Sequence, residues 1–162
     1  MRTLYRLVAT AALALATVVT PALPAAAAPR PTVFLKIDGI PGSSADARHK
    51  GEIEILSYSF GVANSGSSTG GGGGAGKAVF QDLHVTKHVD VASPKLFLAT
   101  ANGTHLDHVV LTVERARRTG QPLLQVTLEN VLVSSFANGG GAGAEPVEQV
   151  SFTYQQITYN RF

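Results

Sequence analysis

Several groups of residues in this 162-residue chain could do chemistry. Gly71, Gly72, Gly73, Gly74, Gly76 and Lys77, with Ala75 among them, fill the first seven positions of a phosphate-binding loop. In such a loop backbone N–H groups cradle phosphates and the lysine reaches the terminal ones. The eighth position is Ala78, where the motif needs a hydroxyl for magnesium. The loop must also open a helix whose N-terminus holds the phosphates, and here an alternating, strand-like pattern follows. A flexible or assembly-ordered loop is the better reading, and no nucleotide is expected. His84 and His88 share a strand face about 13 Å apart, too far for one ion with ligand bonds near ~2 Å. His105 and His108 have odd spacing, which sets them on opposite faces of a strand. No metal is expected. Glu52 and Glu54 sit two apart, ~6.5–7 Å on one strand face, at the low end of the separation used by inverting glycosidases. No cleft is visible around them, and paired surface carboxylates are the simpler reading. Arg115, Arg117 and Arg118 cluster at a hairpin end. They read as a solvated turn or, more sharply, as a salt-bridging contact to another subunit. No Gly-x-Ser-x-Gly elbow is present, and with no cysteine there is no thiol nucleophile, zinc ribbon or disulfide framework. The expectation is a non-enzymatic protein without a cofactor.

The elements that must position these residues read mainly as strands. Residues 33–40 and 53–62 are the first two, and the apolar stripe of the second changes face, which suggests a bulge or burial on both sides. Residues 61–76 cannot be regular structure. Residues 79–91 alternate, with Val79, Leu83, Val85, Val89 and Val91 on one face and Asp82, His84, Thr86, His88 and Asp90 on the other. Ser93 is placed to cap a short helix with Pro94 at its first position, and Gly103 to end it. At about two turns the helix must dock Leu96, Phe97 and Leu98 on a sheet. Strands follow over residues 106–115, 123–136 and 147–160, separated by a turn over 117–122 and a second glycine loop over 138–144. On the 123–136 strand Leu124, Val126, Leu128 and Leu132 share a face. On the last strand Val150, Phe152 and Tyr154 face one way, Ile157 and Tyr159 the other. About six strands and one short helix make a small antiparallel sandwich of two sheets or a partly closed barrel, with the helix on one side.

Residues 1–27 read as an export leader rather than as part of the fold. Arg2 and Arg6 precede an apolar run over residues 7–19 that is broken only by Thr10 and Thr17. Pro21 and Pro24 end the run, and small residues for signal peptidase follow, with cleavage between Ala27 and Ala28. The run is short for a membrane span, and the absence of a twin arginine favours a Sec-type signal. The mature domain is then 28–162. Removing Arg2 and Arg6 from the 13 basic residues leaves eleven against 11 acidic ones. A neutral body has no electrostatic footprint for nucleic acid or an anionic membrane. Export without cysteines fits a bacterial secreted protein.

Several segments, taken in order, resemble the Hcp family, the tube-forming proteins of type VI secretion systems. They are Phe34-Leu-Lys-Ile-Asp-Gly-Ile40, His49-Lys50 leading into Glu52-Ile-Glu-Ile-Leu-Ser-Tyr-Ser-Phe-Gly61, and the glycine run ending at Lys77. Gln81-Asp82-Leu83, Thr86-Lys87, Ala92-Ser93-Pro94, Leu111-Thr-Val113 and Leu132-Val-Ser-Ser135 complete the series. The resemblance implies a small β-barrel of two sheets with one helix. It also implies assembly into six-membered rings that stack, with small secreted cargo proteins as further partners. It assigns Gly71, Gly72, Gly73, Gly74, Gly76 and Lys77 to the long loop used in subunit and ring contacts.

Overall fold

The computed structural model describes residues 32–64, 77–115 and 118–162. Among the described residues nine strands and one helix follow in chain order. They are β1 (Val33–Ile37), β2 (Ile53–Ile55), β3 (Ser57–Ser59), β4 (Val62–Asn64), β5 (Ala78–Phe80), β6 (Leu83–His88), α1 (Ser93–Asn102), β7 (His105–Arg115), β8 (Arg118–Gly139) and β9 (Val147–Arg161). Seven strands form one antiparallel sheet in the order β2-β1-β7-β8-β9-β6-β3, and β4 and β5 form a separate two-stranded ribbon. The expected mainly-β, barrel-like fold with one helix is therefore observed. Its second sheet is only this ribbon.

The large sheet nearly closes on itself because its two outermost strands are halves of one segment. Residues 53–55 pair with β1, residues 57–59 pair with β6, and between them the Leu56 N–H donates to the Thr86 carbonyl at 2.8 Å. The single strand expected over residues 53–62 is thus three short ones. Ile53 and Ile55 are buried, Leu56 is 51% exposed, and Tyr58 turns back toward the core. This change of partner, not burial on both sides, explains the shifted apolar stripe. The core is the barrel interior, built from Leu35, Ile53, Leu83, Val85, Val109, Leu111, Val126, Leu128 and Phe152, with Leu96 and Ala99 from α1. Each such aliphatic side chain contributes about 1.5–3 kcal/mol by leaving water.

Three strands change their buried face at one level. The core-facing positions are Leu106 then Val109 on β7, Leu128 then Val131 on β8, and Phe152 with half-buried Tyr154, then half-buried Ile157, on β9. The pairing runs unshifted through this level on both sides of β8. Asn130, at φ 54°, is the non-glycine residue there with a left-handed backbone. Leu132 is accordingly not on the buried face, which passes instead to Val131 and Val133. Of the two apolar faces expected of β9, Val150, Phe152 and Tyr154 point to the core before the changeover and Ile157 packs against it after, while Tyr159 is exposed. His105 and His108 are both exposed for the same reason.

Other expectations are corrected by local geometry. β1 ends at Ile37, with Gly39 turning at φ 80°. The 79–91 strand is divided between the ribbon and β6, leaving Val79, Val89 and Val91 exposed. Val62–Asn64 is strand within the expected irregular stretch. The helix N-cap is Ala92 rather than Ser93. The Ser93 hydroxyl instead accepts from the Asp90 N–H at 3.0 Å and donates to Glu148 Oε2 at 2.7 Å. Gly103 ends the helix at φ 63°, as expected. Of the three helix residues expected to dock, Leu96 does; Phe97 and Leu98 are exposed, and Phe97 meets Phe136 edge-on. Residues 118–122 belong to β8, with Gly120 at φ 94° beside a register shift against Glu114, and β8 continues to Gly139 before the second glycine loop.

Candidate functional site

Most of the polar residues singled out from sequence serve the fold. Phe34 points away from its core-facing neighbours Val33 and Leu35, yet it is 1% exposed. The loop of residues 42–52 folds over it, stacking the His49 ring on Phe34 at 4.0 Å. The loop is held by charge. Arg48 Nη2 donates to both oxygens of buried Glu114 at 3.2 and 3.1 Å. The two nitrogens of His49 reach Glu52 Oε2 at 2.9 Å and Glu114 Oε1 at 3.1 Å. Burial alone would raise the Glu114 pKa, but hydrogen bonds from Arg48, His49 and the Gly120 N–H outweigh it and hold the carboxyl below its ordinary value. Glu54 accepts from Ser44 at 3.0 Å. Glu52 and Glu54 are thus tied to this loop rather than arranged across a cleft.

A second cluster lies inside the barrel wall. Lys87 on β6 is 1% exposed; its Nζ lies 2.6 Å from Glu148 Oε2, 2.8 Å from Asp90 Oδ1 and 3.0 Å from Ser93 Oγ. Asn138 donates to the other Glu148 oxygen at 3.3 Å. The cluster ties β6, β9 and the start of α1 together with every charge partnered, as burial demands. Neither Lys87 nor Glu148 was singled out from sequence. The signal was present: Lys87 keeps the inward parity of Leu83 and Val85, and Glu148 that of Val150 and Phe152.

The histidines do not converge. His84 Nδ1 meets Ser151 Oγ at 2.7 Å, and Ser135 Oγ reaches the same Ser151 oxygen at 2.7 Å. With Ser59 these residues form one row across four strands, flooring an open polar hollow of about 280 Å³. His84 and Ser135 are exposed, so the water exclusion that activates a nucleophile is missing. Among the described residues no three His, Asp or Glu side chains could hold a metal ion. Arg115 Nη2 donates to the Phe162 carbonyl at 2.8 Å. The side chains of Arg117 and Arg118 lie outside the described residues. So do Gly71, Gly72, Gly73, Gly74 and Gly76, and Ala27 and Ala28. Lys77 is described, is exposed and leads directly into β5, which is strand, not the helix a phosphate loop opens.

What remains is a surface. β6 covers the outer edge of β9 only as far as Phe152. Beyond it, among the described residues, no strand pairs with the outer edge of residues 153–161. Beside this edge lies an apolar groove of about 280 Å³ between β9 and the ribbon, lined by Phe60, Val62, Phe80, Tyr154, Ile157 and Tyr159. Val62, Phe80 and Tyr159 are 62%, 56% and 58% exposed. Tyr154 is fixed at the groove floor by its hydroxyl donating to the Gln81 carbonyl at 2.9 Å. Burial, then the Asp82 charge, pushes its phenol above the ordinary value. An open strand edge flanked by exposed aromatics offers backbone hydrogen bonds and apolar area together, the combination used in strand-to-strand association. The ribbon that forms the far wall carries residues 65–76 between its strands.

Residues 34–160 match the family described as type VI secretion system effector, Hcp. The protein hcp1 of Pseudomonas aeruginosa is 41% identical over 128 residues, spanning 77% of this chain and 79% of that protein. Among solved structures, a type six secretion system protein superposes with a TM-score of 0.77 at 30% identity, over 80% of this chain and 83% of the other. Hcp1 from Salmonella typhimurium superposes with a TM-score of 0.72 at 26% identity, over 82% and 88%.

Proposed function

From the premise that this chain belongs to the Hcp family of type VI secretion proteins, we propose that it is a non-enzymatic assembly subunit. Residues 1–27 export it, and its mature copies, beginning at Ala28, close into rings of six. The family supplies the number six; the observation that carries self-association is the open β9 edge beside the groove of Val62, Phe80 and Tyr159. A closed ring satisfies the edge of every copy equally, whereas an open chain leaves two ends bare. The eleven basic and eleven acidic residues of 28–162 give little net repulsion to keep copies apart. In this reading Gly71, Gly72, Gly73, Gly74, Gly76 and Lys77, which lie between β4 and β5 in the sequence, contact a neighbouring copy. Stacking of rings and small secreted protein cargo belong to this reading, and nucleic acid, metal and nucleotide do not.

Native mass spectrometry of residues 28–162 over a concentration series is the test. We expect one closed species for the native sequence and dissociation in the Phe80→Glu and Tyr159→Lys variants. A strictly monomeric native protein at high concentration rejects the ring. It would promote a secreted monomeric binding module instead, for which the polar hollow around His84 and Ser151 is the structural candidate. Deleting residues 71–76 without effect on assembly would remove the loop from the contact.

A further inference from the structure

Two Asn-Gly steps stand in the chain, Asn102-Gly103 and Asn138-Gly139, and the fold treats them differently. We infer that Asn102 is a site of spontaneous deamidation that loosens the end of α1, and that Asn138 is shielded from the same reaction. This holds whether or not copies of the chain associate.

The chemistry is intramolecular. The backbone nitrogen of the residue after an asparagine gives its proton to solvent base and attacks the side-chain amide carbon. A C–N bond forms, a five-membered succinimide closes, and the amide nitrogen leaves as ammonia with a proton from water. Water then opens the ring at one carbonyl or the other and gives aspartate or isoaspartate. Glycine favours the attack because no Cβ shields its nitrogen. The backbone must also bring that nitrogen to the amide carbon, which a helix or a paired strand does not allow while it holds.

At Asn102 the structure holds weakly. The residue is the last of α1 and is exposed. Its side chain has no hydrogen-bond partner among the described residues. The Gly103 N–H reaches the Thr100 carbonyl only at 3.4 Å, a long bond at a helix end, where fraying costs little. At Asn138 the same dipeptide lies within the β8–β9 ladder, Asn138 opposite Glu148 and Gly139 opposite Val147. Its side-chain nitrogen donates to Glu148 Oε1 at 3.3 Å. Ring closure there requires both the ladder and this bond to open.

The consequence falls on the helix cap. Isoaspartate inserts one methylene into the backbone ahead of Gly103. It displaces the Thr104 N–H, which donates to the Ala99 carbonyl at 3.0 Å. Aspartate puts a negative charge at the helix C-terminus, where it is disfavoured, and the last turn has no basic residue to offset it. Ala99 belongs to the core, so the loosened turn is one that packs on the barrel.

The experiment ages the purified protein in mildly alkaline buffer beside Asn102→Gln, whose longer side chain closes the ring poorly. Peptide mass spectrometry reads amide-to-acid conversion at each asparagine. We expect Asn102 to convert at least ~10-fold faster than Asn138, the ratio given by roughly 1.4 kcal/mol between fraying a helix end and opening a strand ladder. In urea the two rates should converge, since the dipeptides are the same. Deuterium exchange over residues 99–104 should rise in the aged native protein and not in aged Asn102→Gln. Conversion at Asn102 that is absent, or no faster than at Asn138, overturns the assignment, and so does a tenfold ratio that persists in urea. Unchanged exchange in the converted protein overturns the loosening of α1.

Discussion

Asn130 donates from Nδ2 to Gln155 Oε1 at 2.8 Å, at the level where β7, β8 and β9 change their buried face together. The bond joins neighbouring strands between the paired residues Glu129–Gln156 and Val131–Tyr154. Asparagine suits the place because its short polar side chain tolerates the left-handed backbone at φ 54°.

Asn130 therefore gives the first prediction. Asn130→Gly keeps the backbone and loses one exposed hydrogen bond, so its stability should fall by less than about 1 kcal/mol. Asn130→Val forces a β-branched residue into the left-handed region and should cost about 2 kcal/mol or more. Urea unfolding of both variants measures the difference, and equal midpoints would show that the changeover does not depend on this residue.

The loop over Phe34 should be acid-sensitive. The Glu114 carboxyl is held below its ordinary value, so the folded state binds this proton less readily than the unfolded chain. Its contribution is present above the unfolded carboxylate range and is lost as pH falls through the folded value. Melting temperature should drop on acidification from about pH 5 downward. Glu114→Gln should flatten that slope and cost about 1–2 kcal/mol near neutrality, a modest figure because Arg48 is 43% exposed. An unchanged slope in the variant would mean that other carboxylates dominate acid unfolding.

Removing Lys87 alone from the buried cluster should be more damaging than removing it together with the Glu148 charge. Lys87→Met leaves Asp90 and Glu148 facing each other without a cation and should cost about 3–5 kcal/mol. Adding Glu148→Gln should recover part of the loss, because only one buried carboxylate then remains. Denaturation of the two single variants and the double one gives the coupling directly, and strict additivity would contradict the cluster.

Two glycines should behave differently on replacement by alanine. A Cβ at Gly39 meets nothing within 4 Å but sits at φ 80°, so Gly39→Ala should cost about 1–2 kcal/mol of backbone strain. A Cβ at Gly42 would lie 2.3 Å from the Glu52 carbonyl oxygen, which is backbone and cannot step aside. Gly42→Ala should open the 42–52 loop and raise deuterium exchange there. Retained protection of that loop would show that it can shift without releasing Phe34.

Much of the barrel is legible in the sequence because alternation is a local signal. Residues 83–88 and 147–154 show it, and the inward parity of Lys87 and Glu148 stands in the same pattern. The changeover at Asn130 is not legible, because it is an agreement among three strands distant in the chain. The partner exchange at Leu56 is hidden likewise, since β1 and β6 must both be in place to divide residues 53–59 between them. The cover over Phe34 depends on Arg48 and Glu114, 66 residues apart. The open edge of β9 is legible only by knowing where β6 stops. The charged start and apolar run of residues 1–27 and the glycine run, by contrast, are compositional signals that stand in the sequence without any tertiary knowledge.

The division of residues 53–59 between two partners also bears on the order in which the molecule acquires its shape. β7, β8 and β9 form a meander joined by short connections, so their pairing closes small loops. β1 meets β7 across a much longer separation (Val33 against Val113), and β6 meets β9 across another (Leu83 against Phe152). Residues 53–59 can bridge β1 to β6 only after both pairings exist. Topologies dominated by such distant pairings fold over about milliseconds to seconds rather than microseconds. The last seam to zip is then the one that seals the barrel. Until it does, β1 and β6 flank the meander on opposite sides and the barrel stays open between them.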